Sequence, residues 1–347
     1  MYKPVPRRDF IKTAAAGTIS LGIAGKSLQI NDLPGITQLR AGIIGLDTSH
    51  SVAFTKTLND PGAGPEFFGL KVVAAYPKGS NDIQSSVGRI PGYTEDVKKL
   101  GVEIVSSIDE LLDKVDVIFL ETNDGRLHLE QAISVFKSGK RIFIDKPVAA
   151  SLADAIAIYD AAAYFNVPVF SASSLRYITG AKEIIDGSIG KVLGADIYSP
   201  ATLEKTHPDL FWYGVHGVET LFTVMGNGCK SVIRTFNDNF DNVVGIWDDN
   251  RIGTFRGIRF GRSDYGGTVF GEKAISVLGK YSGYNPLLEK IAGFFNTGIP
   301  PVSAEETLEI FTFMAAAEES KLKGGIRIET EQVFFRAKKK AQKVSFK

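Results

Sequence analysis

Cysteine is nearly missing from this sequence, with Cys229 the only one among 347 residues. A single thiol excludes an internal disulfide and a metal site built from several cysteines. Histidine is also scarce, with 4 residues in the whole chain. Any site that needs imidazole must therefore draw on His50, His128, His207 or His216.

An excess of either charge is missing as well. The 40 lysines and arginines nearly balance the 39 acidic residues, which leaves a formal net charge of +1. This balance lacks the basic footprint of nucleic-acid-binding proteins, so we expect no nucleic-acid partner. The basic stretch at residues 336–343 is typical of a solvated terminus. The length favours two domains, because it exceeds what one ordinary core accommodates.

The chain has no apolar run of the ~20 residues that a membrane-spanning helix needs. Its first apolar stretch, residues 13–24, is short and follows Arg7 and Arg8. Paired arginines before a mild hydrophobic stretch resemble a twin-arginine export signal. We therefore predict a signal segment at residues 1–25, a periplasmic or secreted protein, and no stable membrane span after signal removal. The alternative is a basic tail on a cytoplasmic protein.

Short apolar runs alternate with helical patterns in the first half of the chain. Strands are predicted at residues 39–45, 70–76, 115–120, 141–144 and 167–172, and helices at residues 51–58, 127–138 and 151–165. Ser107 and Glu110 form a capping box that opens one more helix. Residues 77–92 are predicted to be a long polar loop. Strands that alternate with helices indicate a parallel sheet covered by helices on both faces.

The pattern changes after residue 176. A helix at residues 181–186 precedes strand-like runs at residues 191–198, 231–236, 243–247, 253–258, 268–270 and 274–278. Such runs, separated by Asn, Asp and Gly turns, favour an antiparallel sheet that is open on one face. A second capping box at Ser303 and Glu306 predicts a helix that ends near residue 323.

The dipeptide Lys146-Pro147 is the most informative local feature. It follows Asp145 at the carboxyl end of the predicted strand 141–144, where a proline stops the hydrogen-bond ladder. Ligands of doubly wound sheets bind at the carboxyl ends of strands. A lysine there can reach a substrate and can carry a proton when its surroundings lower its pKa from ~10.4. The alternative is a solvated charge at the end of a strand.

Five motifs, in order along residues 38–330, resemble the Gfo/Idh/MocA family of glucose-fructose oxidoreductase, inositol dehydrogenase and related sugar dehydrogenases. They are GIIG at 42–45, the stretch from Glu121-Thr122 to His128, HLEQAISVFKSGKRIFIDKP at 128–147, GSIGKV at 187–192 and GVH at 214–216. The resemblance implies an α/β fold. A Rossmann domain with a parallel sheet at residues 37–176 would precede an α/β domain with an open, mostly antiparallel sheet at residues 177–347.

The resemblance also implies an enzyme that transfers hydride between NAD or NADP and a hydroxyl-bearing carbon of a sugar or polyol, in a homo-oligomer. Lys146 would bond the reacting oxygen and relay its proton, and His216 would be the partner acid or base. The cofactor-binding residues that it implies lie mostly near strand ends: Gly45, Asp47, Thr48, Ser49, His50, Lys78, Thr122, His128, Asp145 and Lys146.

The glycine turn departs from the family pattern. In the dinucleotide fingerprint G-x-G-x-x-G, glycines let backbone amides approach the pyrophosphate at a helix N-terminus. Here only Gly45 is kept, while Asp47 and His50 stand at the second and third glycine positions. An ionised Asp47 would repel a pyrophosphate. Its ordinary use would be helix capping, which Asp47, Thr48 or Ser49 is expected to provide.

Two further departures concern the ribose and the substrate. An acidic residue that commonly holds the ribose is missing after the second strand, where Lys78 and Ser80 would suit a 2′-phosphate; a solvated lysine is the alternative. Residues implied to bind substrate are Trp212, Glu219 and Arg176. Trp212 and Glu219 replace two aspartates of the family pattern, and Trp212 would either stack on a sugar face or belong to the core.

These departures motivate two other hypotheses. One is a ligand-binding protein that kept the fold and lost the dinucleotide. The other is a redox-neutral sugar lyase or hydrolase that uses a metal or a retained cofactor. The residues His50, His128 and His216, with Asp47 and Glu219, offer nitrogen and oxygen ligands. Their spacing is no metal signature, so no metal is predicted, and His207 is expected to be exposed.

Overall fold

The structure is a computed structural model that describes residues 38–346. The predicted signal segment, residues 1–25, lies outside the described residues. Within residues 38–346, no helix is both long enough and apolar enough to cross a membrane.

A six-stranded parallel sheet forms the first half of the described chain. Its strands are β1 (Arg40–Ile44), β2 (Lys71–Tyr76), β3 (Glu103–Ile104), β4 (Val117–Leu120), β5 (Arg141–Ile144) and β6 (Val169–Phe170). They lie in the spatial order β3-β2-β1-β4-β5-β6, and every neighbouring pair is parallel. The strand order reverses between β1 and β4, and ligands of such sheets bind at the carboxyl ends beside this switch point.

Six α-helices accompany this sheet within the described residues. They are α1 (Ser49–Asn59), α2 (Gln84–Val87), α3 (Ile90–Lys99), α4 (Ile108–Lys114), α5 (His128–Lys137) and α6 (Leu152–Tyr164). The Ser107 hydroxyl accepts from the Glu110 amide at 3.1 Å, so the predicted cap of α4 is confirmed. The predicted loop over residues 77–92 is wrong in its second half, where α2 lies and α3 begins. Pro91 sits in the first turn of α3, where a missing N–H is tolerated.

A second, seven-stranded sheet follows. Its strands are β7 (Val192–Pro200), β8 (Cys229–Phe236), β9 (Phe240–Trp247), β10 (Ile252–Ile258), β11 (Gly266–Gly271), β12 (Ile275–Leu278) and β13 (Ile328–Glu329). The order is β12-β11-β7-β10-β9-β8-β13, and all pairs are antiparallel except β7 with β10. The predicted fold class, a parallel sheet followed by a mostly antiparallel one, is confirmed.

Five α-helices belong to the second half of the described chain. They are α7 (Ala181–Ile185), α8 (Val215–Met225), α9 (Asn285–Thr297), α10 (Ala304–Leu322) and α11 (Thr330–Ala341). Helices α8 and α10 pack on one face of the second sheet. All residues of α8 are buried, including a polar stripe at helical spacing that consists of His216, Glu219, Thr220 and Thr223.

Helix α9 follows the strands of the second sheet in the sequence but packs against the parallel sheet. Its Phe294 ring packs against Phe170 of β6 at 4.9 Å, and its Phe295 ring against Phe119 of β4 at 5.1 Å. The same helix thus completes the core of the parallel sheet. Whether residues 37–176 and 177–347 behave as separate domains stays a prediction.

Candidate active site

A cavity of about 410 Å³ opens beside the carboxyl ends of β1, β4 and β5. Loops and helices from both halves of the described chain line it. Ligands of open α/β sheets bind at such strand ends. Its lining includes Thr48, Ser49, His50, Asn123, Lys146, Ser174, Trp212, Tyr213, His216, Tyr265, Tyr281 and Tyr284. A larger cavity of about 820 Å³ lies elsewhere, between β8, α10 and α11. We choose the smaller one because the predicted catalytic residues converge on it.

Lys146 and His216 line the same cavity although 70 residues separate them in the sequence. Lys146 follows β5 and is 8% exposed, and His216 lies in the first turn of α8 and is 5% exposed. The structure therefore places both predicted catalytic side chains on one ligand-sized space. Their catalytic function stays a prediction.

Ser173 fixes the ring of His216. The Ser173 Oγ lies 2.6 Å from His216 Nδ1 and accepts a hydrogen bond from the Leu175 amide at 3.1 Å. We assign the hydroxyl proton to the bond with Nδ1, which puts the proton of the neutral imidazole on Nε2. Burial lowers the pKa of His216 well below its usual range, and the charges of Lys146 and His50 add to this. The ring is therefore neutral at neutral pH.

A group of tyrosines forms an aromatic wall that the sequence interpretation missed. The hydroxyls of Tyr213 and Tyr265 lie 2.8 Å apart, and that of Tyr281 lies 3.0 Å from Ser174 Oγ. Burial raises the pKa of Tyr265, Tyr281 and Tyr284. Their hydroxyls thus remain protonated and can donate hydrogen bonds at neutral pH. The pair Tyr281 and Tyr284, three residues apart in a Gly-containing loop, was the available signal.

The predicted substrate-binding residues separate into two groups. Trp212 lines the cavity, with its ring 5.0 Å from that of His207. Glu219 and Arg176 instead form a buried ion pair at 2.9 Å, and Arg176 also pairs with Glu306 at 2.6 Å. Glu219 accepts from the Ser173 amide at 2.8 Å. The structure thus gives Glu219 and Arg176 a supporting position behind Ser173 rather than a place on the cavity wall.

The side chain of Asp47 lies in the crevice at the switch point between β1 and β4. Its carboxylate accepts from the amide and hydroxyl of Ser80, both at 2.7 Å, and from the amide of Asn123 at 2.9 Å. Asp47 is fully buried, and a Cβ on Gly79 would lie 2.4 Å from its carboxyl group. A side chain of the protein thus links the loop after β2 to the loop after β4.

The expected cap of α1 is wrong. Thr48 stands at the N-cap position, and within the described residues no side chain caps this helix. The Thr48 carbonyl instead accepts from the Ser51 hydroxyl at 2.8 Å. Asp47 is unavailable as a cap because its oxygens bind Ser80 and Asn123. Thr48 and Ser49 remain on the cavity wall.

Three buried ionisable groups meet below the cavity floor. Glu121 and Asp145 follow the neighbouring strands β4 and β5, and His50 lies in the first turn of α1, after β1. The His50 Nδ1 lies 2.8 Å from Asp145 Oδ2 and 3.9 Å from Glu121 Oε2. Glu121 lies in one of the family motifs, but no function was predicted for its carboxyl group. The sequence signal for this cluster was an acidic residue directly after each of two apolar strands.

The two carboxyl groups of this cluster differ in ionisation. Burial raises the pKa of Glu121 well above its usual range; Asp145 adds to this and Lys146 opposes it. Burial also disfavours ionisation of Asp145, but His50 and Lys146 outweigh it and hold the pKa of that carboxyl at about 2. Neither Glu121 oxygen has a hydrogen-bond partner within the described part of the chain. Such a group is costly to bury as a charge.

A hydrogen bond between His128 and Thr122 fixes the loop that follows β4. The His128 Nε2 donates to the Thr122 carbonyl at 2.6 Å, and burial lowers the pKa of this imidazole. A Cβ on Gly45, whose φ is +90°, would lie 2.5 Å from the Thr122 amide nitrogen. Gly45 is therefore needed for a close approach of β1 to this loop, whatever ligand binds there.

A smaller cavity of about 210 Å³ lies at the end of β2 and is lined by Lys78, Gly79 and Gln131 among others. Ser80 was predicted to bind a 2′-phosphate together with Lys78. Its hydroxyl instead donates to the carboxylate of Asp47. The expectation that His207 is exposed is wrong, because it is 7% exposed and its Nε2 lies 3.5 Å from Asp124 Oδ1.

Part of the chain is similar to a known protein family. Residues 39–173 match the Gfo/Idh/MocA profile, described as an oxidoreductase family with an NAD-binding Rossmann fold. An uncharacterized oxidoreductase of Streptococcus pneumoniae is 32% identical over 137 residues, which are 38% of this chain and 37% of that protein. The aligned part thus spans little more than a third of that relative.

Solved dehydrogenases share most of the described fold. A probable dehydrogenase from Thermotoga maritima has a TM-score of 0.69 at 19% identity, covering 85% of this chain and 100% of that one. Scyllo-inositol dehydrogenase from Lactobacillus casei, solved with NAD(H) and scyllo-inositol, gives 0.67 at 15% identity with the same coverage. Myo-inositol 2-dehydrogenase from Lactobacillus plantarum gives 0.67 at 16% identity, covering 84% of this chain and 99% of that one.

Residues 39–173, which contain the parallel sheet, thus resemble the NAD-binding Rossmann fold of the Gfo/Idh/MocA oxidoreductases. The oxidoreductase class and the nicotinamide dinucleotide that the sequence predicts are those named in the description of this family. The structural likeness, at these identities, shows the fold.

The residues present fit such a cofactor at both ends of the crevice. The cavity beside Lys78 lies at the end of β2, and the cavity beside Lys146 lies at the ends of β4 and β5. The middle fits less well, because the amides of Ser80 and Asn123 already donate to Asp47. A dinucleotide that spans both cavities requires Asp47 to release these amides.

Proposed function

We propose that this protein is an NAD(P)-dependent oxidoreductase that transfers hydride to or from a hydroxyl-bearing carbon of a sugar or polyol. The observation that carries the proposal is the convergence of Lys146 and His216 on one cavity at the strand ends of a family Rossmann domain. The tyrosine wall supports a polyhydroxylated substrate, since it offers both apolar ring faces and hydroxyl donors. The inositol dehydrogenases that share the fold point to the same class.

Each side chain would have a function that follows from its position in the cavity. Lys146 would bond the oxygen of the reacting carbon and would give or take its proton. His216, with Nδ1 held by Ser173, would present Nε2 to a substrate oxygen and orient it. Tyr213, Tyr265 and Tyr281 would bond the remaining hydroxyls and keep water away. The bound nicotinamide would supply the hydride-transfer chemistry.

A substrate screen with a lysine variant tests this proposal. Purified protein is assayed with NAD and NADP against a panel of sugars and polyols, and the active pair is repeated with Lys146→Met and Lys137→Met. We expect Lys146→Met to lower kcat by about 100-fold or more while nucleotide affinity is kept. Lys137 is exposed on α5, so its variant is the matched control. Full activity of Lys146→Met contradicts the proposed function of this lysine.

A second candidate function rests on Asp47. Because its carboxylate occupies amides beside the switch point, the fold is also suited to a ligand-binding protein that has lost the dinucleotide. This candidate predicts that none of NAD, NADH, NADP and NADPH changes the melting temperature. It also predicts that sugars alone do.

We further propose export through the twin-arginine route. The argument rests on Arg7, Arg8 and the apolar residues 13–24, which lie outside the described residues. A fusion of residues 1–36 to a reporter should reach the periplasm, and an Arg7→Lys/Arg8→Lys fusion should not.

A homo-oligomer is the last part of the proposal. Ile252, Ile275 and Val277 lie on one open face of the second sheet and are 53%, 66% and 70% exposed. Exposed apolar patches of this kind favour association. Light scattering on the purified protein should give a mass above that of one chain. The variant Ile275→Lys/Val277→Lys should reduce that mass.

A further inference from the structure

The cluster of His50, Glu121 and Asp145 brings together donor atoms that would suit a metal cation. One nitrogen and two carboxylate oxygens from these residues lie within 4.8 Å of one another, and all three residues are buried. Ligand atoms around a first-row transition metal are typically ~3 Å apart, because each lies ~2.1 Å from the ion. The distance from His50 Nδ1 to Asp145 Oδ2 already has this value, at 2.8 Å, and the distance from His50 Nδ1 to Glu121 Oε2 is 3.9 Å.

The side chains of His50 and Asp145 are as close as an ion pair, but the angles at their nearest atoms are not those of a hydrogen bond. Nδ1 and Oδ2 are 2.8 Å apart, yet Nδ1 has no hydrogen-bond partner among the described residues. An imidazole nitrogen and a carboxylate oxygen are both donor atoms that bind transition-metal ions. Glu121 strengthens the argument, because its carboxyl group is 0% exposed and both oxygens are without a partner in the described chain.

The charges around the cluster also favour a cation. The carboxyl groups of Asp47, Glu121 and Asp145 are all buried in this part of the crevice. Lys146 is the nearby cation that acts on both Glu121 and Asp145. A bound cation would compensate the charge of an ionised Glu121, whose oxygens have no hydrogen-bond partner among the described residues, because an uncompensated buried charge is strongly unfavourable.

We propose that His50, Glu121 and Asp145 bind one divalent transition-metal cation, such as Mn²⁺, Fe²⁺ or Zn²⁺, at the floor of the cavity. A mixed set of imidazole and carboxylate ligands selects this class of ion over Ca²⁺ or Mg²⁺. Three protein ligands leave coordination positions open, as in catalytic rather than structural sites. Because His50 lines the cavity, these positions face the space in which a hydroxylated ligand would lie.

The proposal is tested by metal binding alone, without nucleotide or substrate. Full-length protein is treated with a chelator, dialysed and titrated with Mn²⁺, with binding followed by electron paramagnetic resonance and with Zn²⁺ as a competitor. The variants are Glu121→Gln and His50→Gln, and the control is Glu289→Gln, an exposed carboxylate on α9. Melting temperatures without metal show whether each variant folds, and either folded variant is sufficient for the test.

We expect saturable binding of one Mn²⁺ per chain, displaced by Zn²⁺, unchanged in Glu289→Gln. In Glu121→Gln or His50→Gln we expect the Kd to rise by at least about 10-fold. No saturable binding by the wild type, or equal binding in the cluster variants, overturns the proposal; a proton held by Glu121 would then be the charge compensation. Metal binding without nucleotide binding would support this inference and contradict the proposed oxidoreductase, and the reverse result would do the opposite.

Discussion

Asp47 shows at the scale of one residue how far sequence reasoning reaches. The departure from the glycine fingerprint is visible in the sequence, and its consequence for a pyrophosphate follows from charge alone. Its partners are not visible, because Ser80 and Asn123 are 33 and 76 residues away. The expected capping was therefore wrong, although the position was recognised as unusual. Glu121 was missed for a related reason, since its neighbours come from β1 and β5.

Replacing Asp47 with alanine should have two opposite effects. The free energy of unfolding should fall by about 2–4 kcal/mol, because buried hydrogen bonds to a charged acceptor are lost. Affinity for NAD or NADP should rise, because the amides of Ser80 and Asn123 become free and a negative charge is removed. Chemical denaturation and nucleotide titration measure the two effects.

The control for this change is Asp82→Ala, an exposed carboxylate on the same loop that pairs with Arg126. An exposed ion pair contributes less than about 1 kcal/mol, so both quantities should stay near the wild type. Unchanged or weaker nucleotide affinity in Asp47→Ala would show that its carboxylate does not compete with the cofactor.

Helices α8 and α9 mark the limit of prediction at the scale of elements. Five of the six strands of the parallel sheet follow from their apolar runs, whereas the two-residue strand β3 was not predicted; the Ser107 and Ser303 caps follow from their spacing. Helix α8 has polar residues at helical spacing, a signal that would have predicted it, although the sequence does not show that these side chains are buried: His216, Glu219, Thr220 and Thr223. Helix α9 has the paired apolar residues Leu287, Leu288, Phe294 and Phe295, a signal that would have predicted it. Its contact with the distant parallel sheet would still have been unknown.

The packing of α9 predicts a large effect of one core substitution. Phe294→Ala should lower the free energy of unfolding by about 3–5 kcal/mol, because Phe294 is 1% exposed and packs on Phe170. The matched change Phe260→Ala, at a ring that is 68% exposed, should cost less than about 0.5 kcal/mol. Denaturant unfolding of both variants checks this. Equal small losses would mean that α9 is not part of the core in solution.

Buried histidines link the stability of the whole molecule to pH. Burial lowers the pKa of His128 and of His207, although Asp124 partly opposes this for His207. The unfolded chain, with a histidine pKa of about 6.5, then binds more protons than the folded chain at mildly acidic pH. The stability that neutral rings provide is complete above about pH 6.5 and falls as the pH drops below it.

The expected result is a lower free energy of unfolding at about pH 5.5 than at about pH 7.5, by up to about 1.4 kcal/mol per pH unit for each such histidine. His207→Asn should reduce this difference. Denaturation curves at the two pH values measure it. A pH dependence that is unchanged in the variant would contradict the account of His207.

Native mass spectrometry of the purified full-length protein tests the central claim most directly. Spectra are recorded as purified and after addition of NAD, NADH, NADP or NADPH. The account predicts a mass increase of one dinucleotide per chain, which is lost on denaturation and identified as NAD(H) or NADP(H). A chain that stays free of all four nucleotides would contradict the oxidoreductase and favour the ligand-binding protein.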